Sequence, residues 1–449
     1  VFDLLVAQRV AALIGALLFA LHPVQVESVA WVSGTKDVLF GMLSLLAIYE
    51  YLQFTQHPPG NRARVHYAVA TLAFVLAMLA KPTAMVVPLV VIVLDHFMLG
   101  RPLKQVLRST WPWLVLAVPV MIVTKLSQPA AHATAAAAPI LFRPLIAADA
   151  LAFYFYKLVW PVTLTFDYGR TPQHVIETRA IAWTWIVPAL LAVIAWRFRR
   201  RAPALAAGLL VGVIVLLPVL GLVAFDFQLY STVADHYLYL AMLGPALIVA
   251  WCVSRRPTTA TIVIAACVIA ILGVRSFAQT KHWHDSRALF AHGIRVNPAS
   301  FASYNSLAAL AVEERDFPRA VDLSQRALRI RPNHANSHAT LAEALRNQGD
   351  VDGAITALQA ALKYEPDYQP ALGNLAVALA SRGRFADALR YARRLVELAP
   401  DSIPARTNLA LIYLDANQPD AARAELEAIL RLDPTNEAVR AQLRKLQRP

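Results

Sequence analysis

Cysteine is almost absent from this sequence. The two in 449 residues, Cys252 and Cys267, both lie in apolar runs. A disulfide scaffold is excluded, and the pair says nothing about compartment. Charge is scarce too: 16% of residues are Asp, Glu, Lys or Arg, against about 25% in an average soluble protein. With 58% hydrophobic residues and a mean hydropathy of +0.49, disorder and fibres are excluded and a membrane protein is not. No Walker loop, GxGxxG, HExxH, CxxC or GxSxG motif occurs. Nucleotide hydrolysis, zinc proteolysis and α/β-hydrolase chemistry therefore lack support. The basic excess is uneven: residues 1–281 hold 21 basic and 10 acidic side chains, the remainder 21 and 19. An excess lying between apolar runs orients a membrane protein rather than binding nucleic acid.

The fold class expected is all-α, a polytopic helical membrane domain followed by a repeat solenoid. Residues 1–281 contain nine apolar runs, at about 6–22, 38–54, 67–80, 82–99, 111–126, 181–196, 204–224, 236–252 and 259–274. Each is long enough, or nearly so, to cross about 30 Å of hydrocarbon. Val1 stands where an initiating Met would, so the natural chain is expected to continue upstream. With residue 1 on the cytoplasmic side, the inner loops collect Arg62, Arg64, Arg101, Lys104, Arg108, Arg197, Arg199, Arg200, Arg201, Arg255 and Arg256, with Arg9 beside them. The outer loop at 225–235 has no basic residue and that at 22–37 only Lys36, as the positive-inside rule requires. This topology needs residues 145–162 not to span. Their aromatic run, Phe153 to Tyr156 with Trp160 around Lys157, suits an interfacial helix. The second half of the chain is then extracytoplasmic.

Residues 282–449 repeat. Pro298, Pro332, Pro366, Pro400 and Pro434 are spaced by 34, as are Leu307, Leu341, Leu375 and Leu409, and Ala320, Ala354, Ala388 and Ala422. Gly349 and Gly383 hold the turn position, replaced by Arg315 and Asn417. This is the tetratricopeptide repeat (TPR), two antiparallel helices per unit, with small Ala at the close approach and Pro ending the second helix. A half-unit at 285–298, four repeats at 301–436 and a capping helix at 437–447 are expected.

Polar residues gather where the apolar runs meet the outer loops. They are His22, Glu27, Lys36, Asp37, Lys81, Asp167, Asp235 and His236. Ionisable groups at membrane depth are costly and point to function. Most also have a plain alternative: Glu27 a loop acid, Lys36 and Asp37 a helix-start charge pair, Lys81 a snorkelling lysine, Asp167 a turn residue, His22 a helix cap, and His236 an aromatic-belt companion to Tyr237 and Tyr239. Asp3, Glu50 and Asp95 fall at the inner side and read as solvated helix ends.

The run His22-Pro23-Val24-Gln25-Val26-Glu27-Ser28-Val29-Ala30-Trp31-Val32, followed by Lys36-Asp37-Val38-Leu39, resembles the signature loop of the transmembrane and TPR repeat-containing proteins. Lys81-Pro82, Asp95, Trp160-Pro161 with Leu164 and Tyr168, and Val233-Ala234-Asp235-His236-Tyr237-Leu238-Tyr239-Leu240 continue the likeness in the same order. That group belongs to the GT-C membrane glycosyltransferases, whose animal members are protein O-mannosyltransferases using a polyprenyl-phosphate sugar donor. The resemblance implies hexose transfer to a hydroxyl acceptor, a protein, at the outer face of a bacterial inner membrane. Glu27 and Asp235 become the catalytic candidates. His22, Lys36, Asp37, Lys81, Asp167 and His236 become candidates for the substrate and phosphate side. Relatives usually carry Arg where His236 stands, and an imidazole is no substitute for a bidentate cation. The resemblance further implies a principal catalytic acid in an outer loop preceding Val1. It implies no metal and leaves metal dependence open; no cofactor is identified.

Stacked TPR helices form a concave groove for an extended peptide. Asn374 and Asn408 hold equivalent positions and Asn336 lies near, a set able to bond a peptide backbone or merely to face solvent. The competing reading is a catalytically silent, membrane-anchored TPR scaffold for envelope assembly. A transporter is set aside for want of a midplane charge chain or paired broken helices.

Overall fold

The computed structural model describes residues 1–6, 8–127 and 138–446, so Ala7 of the first apolar run and Gln447 of the capping helix lie outside the described residues. All regular structure among the described residues is helical. The chain divides into two compact units, Val1–Pro298 and Ala299–Pro449.

In the first unit the principal helices are α1 (Arg9–Leu21), α2 (Thr35–Gln56), α3 (Asn61–Ala80), α4 (Val87–Met98), α5 (Leu103–Ser127), α6 (Arg143–Val159), α7 (Ile186–Phe198), α8 (Pro203–Leu216), α9 (Leu243–Arg255), α10 (Thr259–Thr280) and α11 (Ser286–Val296). Each of the nine apolar runs falls mainly on helix among the described residues. Five lie in helical segments long and apolar enough to cross a membrane: Val32–Gln56, Asn61–Ala80, Leu103–Ser127, Ala180–Phe198 and Thr259–Trp283. Two lie in helix pairs broken by a bend, Arg9–Leu21 with Pro23–Ala30 (50°) and Asp235–Ala241 with Leu243–Arg255 (46°). Two more are the shorter apolar helices Pro82–Met98 and Pro203–Val219. The first bend has a local cause. Pro23 cannot continue α1, and it holds the preceding His22 in extended backbone (φ −70°, ψ 134°).

Two sequence readings need correction. The sequence sets a transporter aside partly for want of paired broken helices; two bent pairs are present, and that ground falls. Asp95 is no solvated end. It is fully buried and accepts hydrogen bonds from the Tyr51 hydroxyl (2.9 Å) and the Arg101 guanidinium (2.7 Å). The turn into α5 carries Arg101 back over the end of α4, so a carboxylate near a helix end acquires a partner instead of water. Glu50 is likewise paired, with His66 at 2.6 Å, whereas Asp3 is exposed.

Helix α6 has 17 residues and buries Asp149 and Lys157 along with Ile146, Leu151 and Tyr154. Asp149 takes both its hydrogen bonds from Arg170 (2.7 and 2.6 Å). Lys157 donates to the carbonyls of Val162 and Thr163. Composition changes after Lys281, but compactness changes after Pro298. Helix α11, the expected half-repeat, belongs to the first unit, where Phe290 packs edge-on to Phe166 (5.6 Å). The Leu164 carbonyl accepts from His292 and Gln279, at 2.9 Å each.

The second unit pairs α12 (Phe301–Glu313) with α13 (Phe317–Ile330), α14 (Ala335–Asn347) with α15 (Val351–Tyr364), α16 (Gln369–Ser381) with α17 (Phe385–Leu398), and α18 (Ile403–Asp415) with α19 (Pro419–Leu432). Helix α20 (Glu437–Leu446) closes the end, with Val439 and Leu443 buried on Leu426 and Ile429. Each second helix stops two residues before its repeat proline. Ala320, Ala354, Ala388 and Ala422 have no exposed surface, because helices this close leave room for a methyl group only. First helices are capped by Ser300, His334 and Ser402, and second helices by Asp316 and Asp350.

The turn position has left-handed backbone in all four repeats: Arg315 (φ 61°), Gly349 (89°), Gly383 (72°) and Asn417 (56°). Glycine adopts it without a Cβ clash, whereas arginine is strained there. Arg315→Gly should therefore stabilise its repeat by about 1 kcal/mol. The check is slower amide hydrogen exchange over residues 301–334 of the full chain.

His334 caps α14 through Nδ1 and packs on Phe301. Burial, reinforced by the Arg331 and His338 charges, pushes its imidazole from 6.5 down to about 4. The folded ring resists a proton that the unfolded ring accepts. Its contribution to stability is thus full above pH 6.5 and is lost as pH falls toward 4. His334→Asn, which keeps a capping acceptor, should flatten that acid-side loss in thermal unfolding.

Candidate active site

The broken segments after α1 and before α9 pack against each other, and the candidate site is built on that contact. Glu27 lies on the short helix Val26–Ala30 and is 2% exposed. Its Oε2 accepts from the backbone N–H of Asp235 (3.1 Å) and its Oε1 faces His236 Nδ1 (2.6 Å). Asp235, 3% exposed, takes the Tyr168 hydroxyl on both oxygens (2.8 and 2.9 Å). Lys157 lies within electrostatic reach of Asp235. The Tyr154 hydroxyl accepts from the Ala234 N–H (3.2 Å), fixing the backbone just before the acid.

Local sequence makes this geometry. Pro23 starts a turn of 3-10 helix, and the segment continues through Val26–Ala30 and a second 3-10 turn at Val32–Gly34 into α2. A Cβ on Gly34 would come within 2.6 Å of the Ser28 carbonyl, so only glycine lets the loop fold back on itself. Gln25 fastens it further, donating to the carbonyls of Phe19 (2.9 Å) and Tyr239 (3.2 Å).

Beside this pair of carboxylates, Lys81 is ion-paired to Asp37 and its ammonium sits 5.5 Å from the centre of the Tyr237 ring. Glu27 and Lys36 are both within electrostatic reach of Lys81. Lys36 itself is exposed. The structure thus brings Glu27, Asp235, His236, Lys81 and Asp37 together from separate stretches of chain. His22 and Asp167 are engaged elsewhere. His22 Nε2 meets the Leu158 carbonyl (3.1 Å), and Asp167 accepts from the Gly169 N–H (2.8 Å). Among the described residues no group of three or more His, Cys, Asp or Glu could hold a metal ion.

Sequence reasoning places Tyr168 in the family-like stretch and Tyr154 and Lys157 in an interfacial helix, but gives none of the three a part in the site, where they hold the Asp235 side. The signal for Tyr154 and Lys157 is the aromatic stretch around Lys157, which composition alone assigns to the membrane interface. In the second unit Asn374 and Asn408 are half-buried on α16 and α18, and Asn336 is exposed at the start of α14.

Apolar helices of spanning length joined to a repeat array define a TPR-bearing membrane protein. Residues 4–127 match the family of dolichyl-phosphate-mannose-protein mannosyltransferases, and residues 272–335, 340–403 and 379–446 match tetratricopeptide repeat families. Protein O-mannosyl-transferase F38B6.6 of Caenorhabditis elegans is 23% identical over 299 residues, covering 64% of this chain. The chain spans only 41% of the length of that relative. Among solved structures, YrrB, a TPR protein with an unusual peptide-binding site, is 15% identical with a TM-score of 0.32, over 43% of this chain and 96% of that one. TTC0263, a thermophilic TPR protein of Thermus thermophilus, is 18% identical with a TM-score of 0.31, over 40% and 95%. In its first part the chain is similar to the dolichyl-phosphate-mannose-protein mannosyltransferases, and in its second to tetratricopeptide repeat proteins.

Replacing Tyr168 by Phe removes the hydroxyl that donates to Asp235 and leaves a buried carboxylate short of a donor. The expected cost is about 1–3 kcal/mol, read as a lower thermal midpoint of the detergent-solubilised chain. A midpoint equal to wild type would show that Asp235 does not depend on this bond.

Proposed function

We propose that this protein transfers a hexose from a polyprenyl-phosphate carrier to a hydroxyl group on a protein, with the TPR array binding the acceptor. The observation that carries the reading is the convergence of Glu27 and Asp235 with the Lys81–Asp37 pair, in a chain whose first part is mannosyltransferase-like. Transfer from a lipid phosphate needs a group that takes the acceptor proton and a cation that steadies the leaving phosphate. The Glu27 carboxylate serves the first need. Lys81 serves the second, with exposed Lys36 beside it. Mannose is the favoured hexose. The proposal places it in a bacterial inner membrane, and the loop charges favour an extracytoplasmic, periplasmic array. Asn336, Asn374 and Asn408 are the residues proposed to bond the acceptor backbone.

His236, standing where relatives carry Arg, favours a second reading, a silent membrane-anchored scaffold. The two part on Glu27→Gln. In an enzyme it lowers transfer from a polyprenyl-phosphate sugar by about 10²–10⁴-fold and spares partner binding; a scaffold has no transfer to lose. Deleting residues 301–449 should abolish protein glycosylation while sparing donor hydrolysis. Protein transfer that survives the deletion would remove the acceptor role of the array.

A further inference from the structure

We infer that His236, oriented by Glu27, is the group that takes the acceptor proton, so that the two form a carboxylate–imidazole dyad. The inference rests on the glycosyl-transfer reading above and reassigns the base within it. Three observations carry it. First, both oxygens of Glu27 are occupied, one by the Asp235 N–H and one by His236 Nδ1. Each oxygen could accept a second bond, but the Glu27 side chain is 2% exposed, so an acceptor hydroxyl reaches it only if the packing around that contact opens.

Second, the same contact fixes the imidazole. A 2.6 Å approach of Nδ1 to a carboxylate oxygen puts the proton of the neutral ring on Nδ1. Nε2 is left as the lone-pair nitrogen, and it makes no hydrogen bond among the described residues. Third, the ring is held but not sealed. It is edge-on to Tyr237 (4.2 Å), Phe227 (5.9 Å) and Trp31 (6.2 Å), and the side chain keeps 12% of its surface exposed. Aromatic walls beside an accessible Nε2 suit a sugar face arriving next to a hydroxyl.

In the transfer step the acceptor O–H gives its proton to Nε2, and the oxygen pair forms the new bond to the sugar's anomeric carbon. The old bond from that carbon to the phosphate oxygen breaks, and its electron pair leaves with the lipid phosphate. Glu27 stabilises the imidazolium, which then releases its proton to water. Charged and titratable groups around the ring are Glu27 on the first broken segment, Asp235 and Tyr237 on its own, and the Lys81–Asp37 pair beyond Tyr237. A cation at this position would be bound to phosphate; a neutral imidazole in this tautomer is a base.

The test uses the natural full-length protein reconstituted in liposomes with a polyprenyl-phosphate mannose donor and a serine/threonine peptide. His236→Ala should lose at least about 100-fold in kcat with little change in donor KM, and added imidazole should restore transfer. His236→Arg should stay inactive. Activity in His236→Arg, or rescue of His236→Ala by guanidinium rather than imidazole, would overturn the dyad in favour of a phosphate cation. No rescue by either would reduce His236 to a structural brace and overturn it equally. A wild-type protein without transfer would instead sink the glycosyltransferase reading. Acylation of Nε2 by diethyl pyrocarbonate, mapped by mass spectrometry, separates that case: Glu27→Gln should slow it several-fold if the dyad exists, and leave it unchanged if not.

Discussion

One carboxylate holds the membrane unit's charged end together. Glu27 is buried where a lone ion would be costly, and its two oxygens are satisfied by residues 208 and 209 positions further along the chain. Each helix that supplies a partner is broken just there. An unbroken α1 would carry its side chains past the contact, and an unbroken helix through Asp235 would offer no free N–H, since helical amides are already bonded. The bends are therefore what makes the buried carboxylate tolerable. Around it three further side chains answer a buried charge: Tyr168 on Asp235, Lys157 near it and Lys81 on Asp37.

The repeat half is legible almost to the residue. A 34-residue period in Pro, Leu and Ala is a local signal, and each copy repeats the evidence of the last. The turn position shows the same logic, because Arg315 and Asn417 are identified by register and hold the same left-handed backbone as the glycines. The apolar runs are legible as helices for the same reason. Length and hydropathy are written along the chain, and so is the bend at His22, which Pro23 marks, but the break between Ala241 and Leu243 is not.

Pairing across the fold is harder to read. Glu27, Asp235 and His236 can be named as candidates, but their mutual contact joins the two ends of the membrane unit. Asp95 is misread from sequence because its partners, Tyr51 and Arg101, come from the end of a distant long helix and the following turn. Tyr154 and Lys157 are hidden by composition. Aromatic residues with one lysine describe a membrane interface and the wall of a buried acidic centre equally well, and only packing separates the two.

The change in composition after Lys281 and the change in compactness after Pro298 bracket α11, which has the sequence of a repeat helix and the contacts of the membrane unit. A soluble fragment cut by composition would carry α11 with Phe290 and His292 stripped of Phe166 and the Leu164 carbonyl. That leaves a sticky flank on an otherwise polar solenoid. Cut at Ala299, the fragment starts at the Ser300 cap and is free of that flank. The repeat unit's natural first residue is thus set by what its neighbour retains.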